Sequence, residues 1–309
     1  MKHKFTTLTA IAVLTAGTRI ALAQQAESPT VEPPAGQDLV SRATRQLWQQ
    51  PSLEARLRQK IDLFGQQLVG TGHYLQKQSG DRQLLRLELK VQLGEQLSSM
   101  QQVCDGRFLW IRRELPGGAT LGRVDLNRIR TAIEQKGREP LSDSTTNWIA
   151  LGGLPRLLAG LDENFQFGPA RPAQLGKRPV WITEGHWKRE RLSELLPDQK
   201  EAIEAGRSAD LTRLSPHLPG SVQVVLGQRD LIPYRIEYRR PTSGATADGS
   251  TESTERATPA VALELFDVRR RDDLQDHHFV YQPGNQPIAD HTDLYLQNMG
   301  LLAKKQKDG

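Results

Sequence analysis

The chain has 309 residues, with 41 Lys and Arg against 36 Asp and Glu, 37% hydrophobic residues and a single cysteine. One thiol cannot close an internal disulfide, so an apolar core must hold the fold, and the length is ample for a large one. The basic excess does not mark a nucleic-acid binder: Arg and Glu are interspersed, and the longest basic run, Arg269-Arg270-Arg271, is followed at once by Asp272-Asp273.

Residues 1–23 read as a cleavable export signal. Lys2 and Lys4 give a basic start, residues 5–17 are mostly apolar but too short to span a bilayer, and Ala21-Leu22-Ala23 offers small residues for cleavage near Ala23. No cysteine follows the apolar run, so a lipid-modified amino terminus is not expected, and the general secretory route is favoured by the lack of twin arginines. Removing Lys2, Lys4 and Arg19 leaves 38 basic against 36 acidic residues, a net of +2. No later segment approaches 18 uninterrupted apolar residues, so the mature chain reads as soluble, periplasmic or secreted, and not as an integral membrane protein.

Residues 24–37 are rich in Pro, Glu and Ala without periodicity and are expected to be a disordered leader. From residue 38 onward a helical pattern begins. Leu39, Ala43 and Leu47 lie four apart, and Leu53, Leu57 and Ile61 repeat that spacing beyond Pro51, with Ser52 as a cap, so two helical pieces are expected. The period then becomes two. Leu85, Leu87, Leu89, Val91 and Leu93 alternate with Arg86, Glu88, Lys90 and Gln92, the pattern of an antiparallel strand with one face in the core. Weaker strands are expected over 68–76, 96–103 and 108–112, separated by Gly-containing turns.

Two helices follow, over Leu126–Lys136 and over 148–161. In the second, Trp148, Leu151, Leu154, Leu158 and Leu161 recur at helical spacing, with Gly152, Gly153 and Pro155 weakening the start. Strand character returns over 176–188, a polar helix over 191–207, and strands from Val222 and from Ile232. Residues 241–259 read as a long polar hairpin loop, 261–269 as the strand that closes the sheet, and 293–303 as a last helix. One domain over residues 38–303 is the simplest organisation.

The inventory for catalysis is poor. There is no nucleophile elbow, phosphate loop or paired-histidine zinc helix. Gly70-Thr71-Gly72 is too short for a dinucleotide fingerprint. Asp276-His277-His278, with Asp290, His291 and Asp293 beyond, is the nearest approach to a metal site, but neighbours in a strand point to opposite faces, so no metal, cofactor or catalytic residue is expected. Cys104 reads as a buried bystander. An apolar sheet face and an unusually apolar helix remain. They are compatible with a hollow for a hydrophobic ligand or with an ordinary filled core, which patterning cannot tell apart.

Several local motifs resemble the periplasmic lipoprotein-carrier superfamily (LolA/LolB-like). They are Ile61-Asp62-Leu63-Phe64, Gly72-His73-Tyr74, the strand over 84–91, Cys104-Asp105-Gly106-Arg107-Phe108-Leu109-Trp110-Ile111, Val124-Asp125-Leu126, and Gly176-Lys177-Arg178-Pro179-Val180-Trp181. The resemblance implies an α+β fold: a strongly curved antiparallel half-barrel with helices as a lid over its concave face. It further implies a non-enzymatic protein that binds acyl chains of lipids or lipoproteins. Leu85, Leu87, Leu89 and Val91 would line the cavity, while Trp148, Leu151, Leu154 and Leu158 would form the lid. Trp110 joins this candidate site, the direction of its ring being open. The alternative is an envelope scaffold with a filled core, in which the polar helix 191–207 and the loop 241–259 dock a protein partner.

Overall fold

A computed structural model describes residues 33–63, 66–80, 82–93, 96–136, 152–241 and 259–302. Helix α1 (Gly36–Gln49) comes first and buries Leu39, Val40, Ala43 and Leu47 along one stripe. The sheet then begins: β1 (Ser52–Leu63), β2 (Gln66–Ser79), β3 (Arg82–Leu93), β4 (Gln96–Cys104), β5 (Phe108–Leu115) and β6 (Gly118–Asp125) form an antiparallel meander. Helices α2 (Leu126–Lys136) and α3 (Gly153–Asn164) precede β7 (Phe165–Phe167), β8 (Arg171–Leu175) and β9 (Arg178–Trp187). Short helices α4 (Arg189–Leu195) and α5 (Lys200–Glu204) lead to β10 (Ser221–Gly227), β11 (Pro233–Arg239) and β12 (Pro259–Arg269), which pairs back onto β1. The chain ends with β13 (Ile288–Asp290) and α6 (Thr292–Asn298).

These strands make one open sheet of 13, running from β13 and β6 at one edge to β9 and β7 at the other, with β8 also on β9. It is a curved half-barrel, and helices pack over its inner face, the arrangement that one-sided strands require. Leu53, Ala55 and Leu57 of β1, Tyr74 of β2 and Leu85, Leu87 and Leu89 of β3 point inward and share one core with α1 and α3. The two helices are tied together where Ser41 Oγ and Gln37 Nε2 both donate to the Asp162 carboxylate.

Three expectations need correction. Residues 52–63 are a strand and not a second helical piece. A spacing of four fits either period, and the informative alternation was Leu53, Ala55, Leu57 against Glu54, Arg56, Arg58. The polar helix expected over 191–207 is two short helices, because Pro197 lacks the N–H a continuous helix would need. Of the leader expected over 24–37, residues 33–37 are placed in the fold: the Pro34 carbonyl accepts from the Ala170 N–H, Ala35 bridges Pro169, and Gly36 and Gln37 open α1; residues 24–32 lie outside the described residues, as do 242–258 of the polar loop.

Beyond β12 the chain runs as a strap around the sheet. Leu274 and Phe279 pack on Leu75 and Leu84 of the outer face. Tyr281 stacks on Trp110 with ring centroids 5.5 Å apart. β13 then lies parallel to β6 along the edge, and α6 joins the inner core with Tyr295, Leu296 and Met299.

Candidate functional site

The register explains where the inner face is hollow. Leu57 of β1 faces Gly72 of β2, which faces Leu89 of β3, which faces Met100 of β4. One pair further along, Gln59 faces Gly70, which faces Val91. Two successive inward positions of β2 therefore carry no side chain. A Cβ at Gly72 would strike the Glu88 carbonyl oxygen, and one at Gly70 would sit 3.1 Å from Val91 Cγ2. Glycine at these positions lets the backbones approach closely, as at the bends of small barrels.

Over this bare stretch lies a cavity of about 30 Å³, room for a water or two. Its walls are Leu57, Leu87, Leu89, Val261 and Leu263 from the sheet, with Met100, and its roof is Leu157 of α3. Gln59, Gln102 and Tyr238 are the polar residues that line it, and no charged side chain does. Gln102 is only 2% exposed and sits between Leu87 and Ile111 in its row. Burial pushes the Tyr238 phenol well above its usual range.

The start of α3 is fastened to the sheet by one hydroxyl. Tyr74, fully buried, accepts a hydrogen bond from the Leu154 backbone N–H at 3.2 Å and donates one to Gln76 Oε1 at 2.6 Å. It thereby satisfies one of the amide groups that a helix start leaves without an internal partner. Gly153 makes the contact feasible. Its φ of +76° suits glycine, and a Cβ there would collide with the Tyr74 hydroxyl and lie 2.7 Å from Leu85 Cδ2.

The sequence-derived residues divide in this frame. Leu87 and Leu89 line the cavity; Leu85 is buried beside it, under the α3 start. Val91 is half-buried on the inner face next to Gly70. Leu154 and Leu158 are fully buried and belong to the core under α3, while Leu157 reaches the cavity. Trp110 is on the other side of the sheet: it pairs with Val103 and Arg123, clusters with Val103 and Leu121 on the outer face, and stacks on Tyr281. Trp148 and Leu151 lie outside the described residues. Sequence reasoning missed Leu57 and Gln59, because their strand was read as helix, and also Gly70, Gly72, Met100, Leu157, Tyr238, Val261 and Leu263.

Elsewhere several titratable groups pair or stack with one another. His277 and His278 occupy a 3₁₀ turn and stack at 4.2 Å, so the expected divergence of strand neighbours does not apply. Asp276 pairs with Lys77 at 2.7 Å, and His291 packs on Gly122. Among the described residues no group of three or more His, Cys, Asp or Glu is placed to hold a metal. Cys104 is buried, which pushes its thiol up to about 11. On the outer face, a wide depression beside β1, β2 and β12 is lined by Glu54, Arg56, His73, Asp267 and Arg269. Hydrogen bonds from Arg269, Arg271 and His73 hold the Glu54 carboxyl down at about 2.

Among the solved structures similar to this chain, three align over about four-fifths of its length. A DUF1329 family protein from Desulfovibrio piger is 10% identical over 80% of this chain and 96% of its own, with a TM-score of 0.34. A putative outer membrane lipoprotein-sorting protein domain from Vibrio parahaemolyticus is 8% identical over 79% and 95%, with a TM-score of 0.35. MucB is 9% identical over 81% of this chain and 64% of its own, with a TM-score of 0.39. No protein-family model matches the sequence, and no curated protein does. Among the described residues no helix is long and apolar enough to cross a membrane.

Proposed function

We propose that the chain is exported with cleavage near Ala23 and that its mature domain, residues 38–303, is a non-enzymatic binder of acyl chains, carried by lipids or by a lipidated protein. The supporting observation is the uncharged, mostly apolar cavity placed where β2 has glycines and roofed by Leu157 of α3. Each methylene that leaves water for such a lining contributes roughly 0.8 kcal/mol, so a chain of ordinary length gains enough to lift a short helix. At about 30 Å³ the cavity is too small to hold an acyl chain, so α3 must move aside for a chain to enter. Gly152 and Gly153, both at positive φ, provide the pivot.

That small volume also favours a second reading, an envelope scaffold whose core is simply filled and whose partner is a protein. Titration with a fluorescently labelled acyl lysophospholipid separates the two. Saturable binding by wild type, lost in Leu157→Asp while the thermal transition stays cooperative, supports the acyl-chain reading. Absence of binding by folded wild type leaves the scaffold. Leu157 is the residue to change, because a charge at fully buried Leu154 or Leu158 would unfold the lid before it informed on binding.

A further inference from the structure

Gln102 is out of place in the inner wall. Its row on β4 runs Met100, Gln102, Cys104, and its lateral neighbours are Leu87 and Ile111, all apolar. It is 2% exposed and lines the cavity; no hydrogen bond between described residues engages its side-chain amide, which is not among the fully buried unpartnered groups and so keeps a little accessible surface. Buried amides are nearly always paired, and leaving one unpaired in an apolar wall is costly. Gln76, fully buried, gives its carbonyl oxygen to Tyr74 and leaves its own Nε2 without a partner, but it does not line the cavity. Tyr238 of β11, half-buried, lines the same cavity and offers a hydroxyl that no hydrogen bond between described residues engages.

We infer that the ligand carries a neutral ester or amide carbonyl at the head of its acyl chain, and that the Gln102 side-chain N–H donates to that carbonyl, with the Tyr238 hydroxyl as a second donor. This rests on the acyl-chain reading above and specifies the ligand class. A free carboxylate is disfavoured because no Lys, Arg or His lines the cavity, and an unpaired charge there would lose its hydration without compensation. A plain hydrocarbon is disfavoured because it leaves the amide orphaned. An esterified or amide-linked acyl chain meets both conditions, with methylenes against Leu57, Leu87 and Leu89 and its carbonyl at Gln102.

The test compares lauroyl lysophosphatidylcholine with its dodecyl ether analogue, two probes that differ at the carbonyl, by calorimetry below their micelle concentrations. Wild type is expected to bind the ester about tenfold more tightly than the ether, the size of one buried hydrogen bond to a neutral group. In Gln102→Leu the preference should vanish, chiefly through weaker ester binding; Tyr238→Phe should reduce it by a smaller factor. Equal affinity of wild type for the two probes overturns the carbonyl assignment and leaves acyl binding standing; it means that a buried water satisfies Gln102. A preference that survives in Gln102→Leu overturns it as well. If neither probe binds, the acyl-chain reading itself fails and this inference with it. Should Gln102→Leu fold poorly, the wild-type comparison remains decisive, and Gln102→Met supplies a second variant of similar volume.

Discussion

Tyr74→Phe isolates the fastening of α3. The substitution removes one oxygen, leaves the ring's packing intact and creates almost no cavity. It orphans the Leu154 N–H and the Gln76 Oε1, which Tyr74 now bonds at 3.2 and 2.6 Å in a fully buried setting. Each orphaned buried group costs about 1–3 kcal/mol, and since the helix start can relax toward other acceptors the two together should cost about 2–4 kcal/mol. Urea unfolding measures the total. Hydrogen exchange locates it, with the amides at the start of α3 exchanging faster by more than the rest of the core. On the acyl-chain reading, the association rate of a labelled lysophospholipid should rise as the lid loosens. A stability loss under about 0.5 kcal/mol, the range of ordinary surface changes, together with unchanged α3 exchange, would refute the idea that this hydroxyl fastens the lid.

Other perturbations follow from the same geometry. Trp110→Phe should leave acyl-probe binding within about twofold of wild type, because the ring is on the outer face against Tyr281; a large loss in equilibrium titrations would place it in the cavity after all. Cys104 should resist a maleimide in native buffer and react fully in urea, since burial raises its thiol to about 11 and withholds the thiolate. The Glu54 carboxyl is held near 2, against an ordinary value of 4.5. Its depressed folded-state value means that the stabilisation is present above about 4.5 and lost as the pH falls toward 2. Glu54→Gln should therefore be less stable than wild type at neutral pH, with the difference shrinking between pH 4.5 and 2 in acid-titrated unfolding curves. A difference that stays constant through that window would show that Glu54 acts by packing alone.

Much of the sheet was legible because β3 alternates cleanly from Leu85 to Leu93, and glycine-rich turns mark the hairpins on either side. β1 was not, since Leu53, Leu57 and Ile61 recur at four, a spacing shared by helix and strand, while Ser52 and Glu54 imitate a helix start. β13 was invisible for another reason: three residues with no apolar alternation are a strand only because β6 offers them an edge. The site was harder still. Gly70 and Gly72 carry meaning only when the register sets the first between Gln59 and Val91 and the second between Leu57 and Leu89, a long-range fact no local pattern contains. Trp110 sits on the outer face because β5 points Leu109 and Ile111 inward, a parity fixed by its pairing with β4. Gln102 is an ordinary polar residue in the sequence and an anomaly only between Leu87 and Ile111.

The most direct test of the central claim is to purify the mature protein from its native compartment without detergent and to weigh what comes with it by native mass spectrometry. An acyl-chain reading predicts a bound lipid or lipidated partner, displaced by an added lysophospholipid and missing from Leu157→Asp. Wild-type protein that is folded, free of lipid and unable to take up the added lysophospholipid would contradict it.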